Sequence, residues 1–127
     1  MKVVMFLFIF LSHSLITFAQ EKDCKFLHDG KFRLVGKAGT TIITRDKKVQ
    51  VEENADMGVV VIYDIKWIND CTYELSFKQL IKGDPSIAGK KGDVLPVHIN
   101  EIKSKSYIAV TTANFTKQSI EREIEVF

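Results

Sequence analysis

Histidine, cysteine and charge of one sign are all scarce in this chain, and each scarcity closes off a class of function. Cysteine occurs twice, as Cys24 and Cys71. A structural zinc site needs about four ligands, and a catalytic thiolate needs a histidine or basic partner; the chain clusters neither set. Histidine occurs three times. His13 falls in the N-terminal apolar stretch, His28 sits beside Asp29 ahead of the first strand, and His98 lies on the polar face of an apolar strand, so His28 and His98 read as surface residues. The Gly-x-Ser-x-Gly turn of a serine hydrolase is absent. Glu52, Glu53, Glu121, Glu123 and Glu125 fall where solvated strand faces or loops are expected, which leaves no pair of acids converging in a cleft for glycoside hydrolysis. The chain therefore reads as non-enzymatic, with no cofactor and no metal.

The charges nearly cancel, with 18 basic against 16 acidic residues. Nucleic-acid binders concentrate Lys and Arg on one face to displace phosphate counterions. Here both signs alternate along the chain, so no nucleic-acid partner is expected.

Long hydrophobic runs are missing except at the start. Val3 to Phe10 is unbroken, but Ser12, His13 and Ser14 interrupt it short of the roughly 20 apolar residues that span a bilayer. With Lys2 before it and Thr17-Phe18-Ala19 ahead of Gln20, the run has the charged start, apolar centre and small-residue end of a secretory leader. The expected organisation is a signal peptide over 1–19 and a single β domain over 20–127, secreted or periplasmic, with no membrane span. Glu21-Lys22-Asp23 ahead of Cys24 argues against a lipid anchor. In an oxidising compartment two cysteines read as one bridge, Cys24 to Cys71. Closing that loop contributes roughly 4 kcal/mol by the chain-entropy model.

What is abundant is period-two alternation. Val59, Val61, Tyr63, Ile65 and Trp67 share one face against Asp64 and Lys66, a turn follows at Ile68-Asn69-Asp70, and Cys71, Tyr73, Leu75 and Phe77 resume the pattern. Residues 58–78 thus read as a hairpin with an apolar, aromatic-rich face. Shorter β-rich runs cover 31–35, 40–45, 49–53, 95–99 and 106–112. At the C-terminus Ile120, Arg122, Ile124 and Val126 oppose Glu121, Glu123 and Glu125, a strand period stronger than the helical alternative for 119–126. The fold class is all-β, an antiparallel meander of about eight strands closed as a small barrel or sandwich. Lys82 to Gly92 breaks the pattern as a Gly- and Lys-rich loop; its spacing fails the phosphate-loop motif, and no helix follows it.

The run Val61 to Leu75 with Trp67, Asp70-Cys71 and Tyr73, together with Cys24, Gly30-Lys31-Phe32, Arg45 and Gln50-Val51-Glu52, resembles a group of small secreted bacterial β-sheet proteins of uncharacterised function. The resemblance covers roughly Cys24 to Phe77. It implies an exported, lipocalin-like antiparallel shape with two matching cysteines, and no activity.

Charge on the apolar face is the sharpest functional signal. Arg122 shares parity with Ile120 and Ile124, and Arg45 with Thr41 and Ile43. A guanidinium inside a barrel needs a partner, and with a tyrosine hydroxyl such as Tyr63 or Tyr107 it can clamp the carboxylate of an apolar guest. The candidate ligand site is therefore Arg122, Arg45, Tyr63, Tyr107 and Trp67, in a binding protein that carries a small apolar or carboxylate ligand. The alternative is a surface-interaction module of the cell envelope that engages a protein or glycan. An empty pocket lined by Tyr63, Trp67 and Arg122 favours the carrier, and a filled core with an exposed aromatic patch favours the module.

Overall fold

The computed structural model describes residues 23–127; the expected leader over 1–19 lies outside the described residues. A 3-10 helix, Lys25–Leu27, precedes β1 (Gly30–Gly36), β2 (Gly39–Arg45), β3 (Val49–Asn54), β4 (Val59–Asn69), β5 (Thr72–Lys82), β6 (Val94–Ile102), β7 (Ser106–Ala113) and β8 (Thr116–Val126). Every strand pairs antiparallel with its sequence neighbour, and β8 returns to β1, so the meander closes as a barrel rather than a sandwich. The alternation in the sequence dictates this arrangement: one parity of each strand turns inward and the other faces water. In β8 the inward residues Ile120, Arg122 and Ile124 alternate with outward glutamates, which a helix over the same residues could not have separated.

The two ends of the barrel differ. At one end the 3-10 helix lies across the opening, with Cys24 and Leu27 fully buried. The expected bridge is present: Cys24 and Cys71 are disulfide-bonded, which ties this helix to the β4–β5 turn. His28 caps the helix, stacks on Trp67 with ring centroids 3.5 Å apart, and contacts the Asp70 carbonyl through Nε2 at 2.8 Å. It is a packing residue, half-buried rather than free on the surface. The large rings of the core, Phe32, Tyr73 and Tyr107, all sit toward this closed end.

The other end carries the β1–β2, β3–β4, β5–β6 and β7–β8 connections and is looser. Strand β1 meets β8 only at Phe32↔Val126 and Arg33↔Glu125, so the two strands separate beyond Arg33. Likewise β5 meets β6 only from Thr72 to Ser76, and its last residues pair with β4 alone. The loop between β5 and β6 fills that second gap. It leaves β5 through Gly83 at φ +117, where an added Cβ would lie 2.9 Å from Val59 Cγ2 and 3.0 Å from the Gly58 carbonyl, so only glycine fits. The Asp84 carboxylate accepts the Ser86 amide at 2.9 Å and shapes the loop's first turn. Asn114, in the β7–β8 turn, accepts the Val94 amide at 3.0 Å and donates to the Gly92 carbonyl at 3.0 Å, which anchors the loop where β6 begins. No helix among the described residues is long and apolar enough to cross a membrane.

Candidate functional site

The closed end is built around Arg45. Its strand parity turns the guanidinium inward, and there it is almost fully buried, at 3% exposure. Nε donates to Gln50 Oε1 at 2.8 Å, Nη1 to the Leu27 carbonyl at 2.8 Å, and Nη2 to the hydroxyls of Tyr73 at 3.1 Å and Tyr107 at 3.0 Å. The guanidinium carbon also lies 4.5 Å from the centre of the Phe32 ring. Burial acts to lower the pKa of Arg45, but Tyr73, Tyr107 and Glu52 outweigh it and leave the cation favoured. A buried charge is tolerable only when partnered in this way. Four of the five Arg45 N–H donors are thus taken up by the protein itself, and Tyr107 is one of the acceptors.

Trp67 belongs to the same end. It packs between His28 and Tyr73, whose ring centre is 4.6 Å away, and it is half-buried. Its Nε1 is buried without a hydrogen-bond partner among the described residues. Arg45, Tyr107 and Trp67, read from the sequence as ligand contacts, therefore form a plug, and none of them is among the residues lining the three spaces above it.

Above the plug the barrel is hollow. A cavity of about 340 Å³ is walled by Leu34, Ile43, Leu75, Leu95, Val97, Ala109 and Ile124, bounded toward the plug by Gln50 and Tyr73, and faced by Glu52, Thr111, Ile120 and Arg122. That volume lies within the range of small-molecule sites. Eight strands leave little room when aromatics fill them, and here the aromatics are concentrated at one end. The inward positions of the other end are held by smaller or polar side chains such as Thr41, Asn54, Ala109 and Thr111. The cavity continues past Glu52 into a space of about 150 Å³ beneath the loop residues Ile87 and Ala88, lined also by Tyr63 and Met57. Past Leu34 and Arg122 it adjoins a space of about 390 Å³ under the β1–β2 turn.

The electrostatics of this interior come from Arg122 and Glu52. Arg122 does face inward, as its parity in β8 requires, but it is solvent-exposed because β1 and β8 have separated at that height. Its Nη1 lies 3.8 Å from where a Cβ on Gly36 would stand, at the edge of that separation. No hydrogen bond or ion pair among the described residues engages its guanidinium, whereas Arg33 on the outer face is committed to Glu125 at 2.7 Å. Glu52 corrects the expectation of a glutamate on a solvated strand face, being half-buried. It lies inward on β3, opposite Ile43 of β2 and Val61 of β4. Desolvation raises its pKa, while Arg45, a hydrogen bond from Tyr63 and Arg122 pull the other way without cancelling the rise. The Tyr63 hydroxyl is itself pushed up, first by burial and then by the Glu52 charge and hydrogen bond, with a further push from Asp93.

Of the side chains read from the sequence, the structure brings Arg122 and Tyr63 to the open interior. It adds Glu52, Gln50 and Thr111, which the sequence reading did not place there. The signal for Glu52 and Gln50 was register: across the tight Asp46-Lys47-Lys48 turn Arg45 pairs with Gln50 and Ile43 with Glu52, so an inward β2 parity obliges an inward Gln50 and Glu52. His98 is exposed and bonded to Thr72 Oγ1 at 2.7 Å, away from the cavity. Among the described residues no group of His, Cys, Asp and Glu is arranged to hold a metal ion. Comparison with protein-family models, with curated proteins and with solved structures finds no match to this chain.

Proposed function

We propose that this chain is an exported, non-enzymatic carrier that takes a small apolar guest bearing an acid group into its barrel, with the guest's acid at Arg122 and its apolar part against Leu75, Leu95, Val97 and Ile124. The observation that carries the reading is the guanidinium of Arg122, engaged by no hydrogen bond or ion pair among the described residues, at the rim of a cavity of about 340 Å³ walled mainly by apolar side chains. A mainly apolar pocket with a few convergent polar groups is the usual anatomy of a small-molecule site, and a bidentate Arg–carboxylate contact would supply orientation. Export is supported by the N-terminal leader pattern and by the Cys24–Cys71 bridge, which suits an oxidising compartment.

The test is displacement of a fluorescent acyl probe by tetradecanoic acid, with native mass spectrometry of protein purified from its own host to identify any retained molecule. Arg122→Ala is expected to weaken the acid about tenfold or more, since a charge-assisted hydrogen bond contributes about 1.5–3 kcal/mol. The surface control Lys47→Ala should change nothing. Equal effects of the two substitutions, or no displacement by the acid at all, would overturn the carrier.

A surface module of the cell envelope is the second reading. It draws on the part of β8 from Thr116 to Glu121 that has no partner strand on its β1 side, flanked by exposed Val35 and Phe115. Free strand edges of this kind are where another chain or an extended ligand adds.

A further inference from the structure

The cavity holds an acceptor as well as a cation, and the pair narrows the guest. Resting on the carrier reading above, we propose that the preferred guest is a singly anionic amphiphile with a hydrogen-bond donor, a hydroxyl or an amide N–H, a few bonds from its acid group. Arg122 takes the acid and Glu52 takes the donor.

Three observations lead there. Glu52 faces the main cavity and the space beneath Ile87 and Ala88, so it stands where the two volumes meet, while Arg122 faces the main cavity from β8. The two are within electrostatic reach, yet no direct ion pair joins them among the described residues. A guest in the main cavity meets both side chains. Second, a carboxyl group offers about four acceptor positions, and Tyr63, which lines the same space as Glu52, is the side chain placed to donate to it, so acceptor positions remain open toward the cavity. Acceptors that lose water when a guest fills the cavity are costly to leave unpaired, and a donor on the guest would complete the set whether Glu52 is ionised or protonated, because a carboxyl oxygen accepts in either form. Third, Arg122 is the cation that faces the main cavity, since Arg45 is held in the plug by its own partners, so a single acid group on the guest is what the site can pair.

The class is thus distinct from a plain saturated fatty acid, which would leave Glu52 facing a methylene. A site that hydrogen-bonds a ligand hydroxyl discriminates sharply against the analogue without it, because its own polar group is then stranded.

The experiment compares tetradecanoic acid with β-hydroxytetradecanoic acid as competitors for a fluorescent acyl probe, on the full mature chain and on Glu52→Leu and Glu52→Gln. The native chain is expected to bind the hydroxy acid about tenfold or more tightly than the plain acid. Glu52→Leu should abolish the preference, and Glu52→Gln, whose amide oxygen still accepts, should restore part of it; a thermal melt of each variant confirms folding. Equal affinity for the two acids in the native chain, or a preference that survives in Glu52→Leu, overturns this inference and leaves the carrier standing. Failure of either acid to bind overturns the carrier itself.

Discussion

Arg45 Nη2 donates to the Tyr107 hydroxyl at 3.0 Å across a separation of 62 residues, and so joins the end of β2 to the start of β7 through the middle of the barrel. The same nitrogen reaches Tyr73 on β5, and Nη1 reaches the carbonyl of Leu27 in the helix that covers the end. One side chain therefore ties two tyrosine-bearing strands and the end cap to its own strand. The network stands between the apolar seal of Leu27 and Cys24 and the hollow above, so Arg45 is committed to the fold, whereas Arg122, of the same residue type and parity, faces the cavity as the proposed ligand contact.

Arg45→Met is expected to destabilise the protein by about 3 kcal/mol or more, because it strands two buried hydroxyls and a buried carbonyl as well as deleting the charge-assisted bonds. Arg45→Lys should also be destabilising, since one ammonium cannot reproduce the fork that serves Gln50, Leu27 and both tyrosines. Urea unfolding followed by circular dichroism measures both; a native-like midpoint for Arg45→Met would mean that the network is ornamental to stability.

The sequence made the strand count, the closure as an antiparallel meander and the Cys24–Cys71 bridge legible, because each rests on local alternation or on a single possible pairing. Strand β8 was readable for the same reason. Strand β3 misled: Val49 and Val51 imitate an inward face, while the inward residues are Gln50, Glu52 and Asn54. Hydrophobicity inverts there because the interior at that height is a partnered polar cluster and an open cavity rather than packed core. The different placements of Arg45, buried in the plug, and Arg122, exposed at the cavity, were not legible at all. Parity says only that a side chain points inward, and its height along the barrel depends on strand stagger and on where the N-terminal helix lies, both non-local.

The raised pKa of Glu52 has a definite sign in stability. A group whose folded value exceeds its unfolded value favours folding while protonated, so its contribution is complete below the unfolded carboxyl range and is lost as pH rises through the folded value. Asp46, Asp84 and Glu123 run the other way, their pKa values held down chiefly by the Lys48 amide, the Ser86 amide and the Ser106 hydroxyl respectively. Comparing the native chain with Glu52→Gln cancels those three. Without guest, the stability of the native chain relative to Glu52→Gln is expected to fall as pH goes from about 4 to about 8. Parallel stability curves for the two proteins would show that Glu52 is solvated in the folded state.

Reduction of the bridge should be felt strongly because Cys24 and Cys71 are 47 positions apart and the loop between them includes β1, β2, β3 and β4. Replacing both cysteines by serine is expected to cost roughly 4 kcal/mol. The covering helix should loosen first, seen as faster amide exchange at Leu27 and His28, whose amides bond within that short turn at 2.9 and 3.0 Å. Unchanged exchange there, with stability intact, would indicate that Arg45 alone holds the cap.

The carrier and the surface module separate most cleanly at Ala109. This residue is buried at 2% exposure, pairs with Arg122 across β7 and β8, and forms part of the wall of the main cavity. Ordinarily, enlarging a buried alanine costs about 1–3 kcal/mol through overpacking, but here the new side chain would grow into empty space. Ala109→Phe is therefore expected to melt within a few degrees of the native protein and to weaken tetradecanoic acid by about tenfold or more, because the ring occupies volume that the acyl chain needs. Ile108→Phe, one residue away on the outer face, should leave the affinity unchanged. If Ala109→Phe still bound the acid as the native chain does, the guest would have to lie outside the barrel. The unpaired length of β8 would then become the surface to examine, since its free amides and carbonyls need no cavity to engage an extended partner.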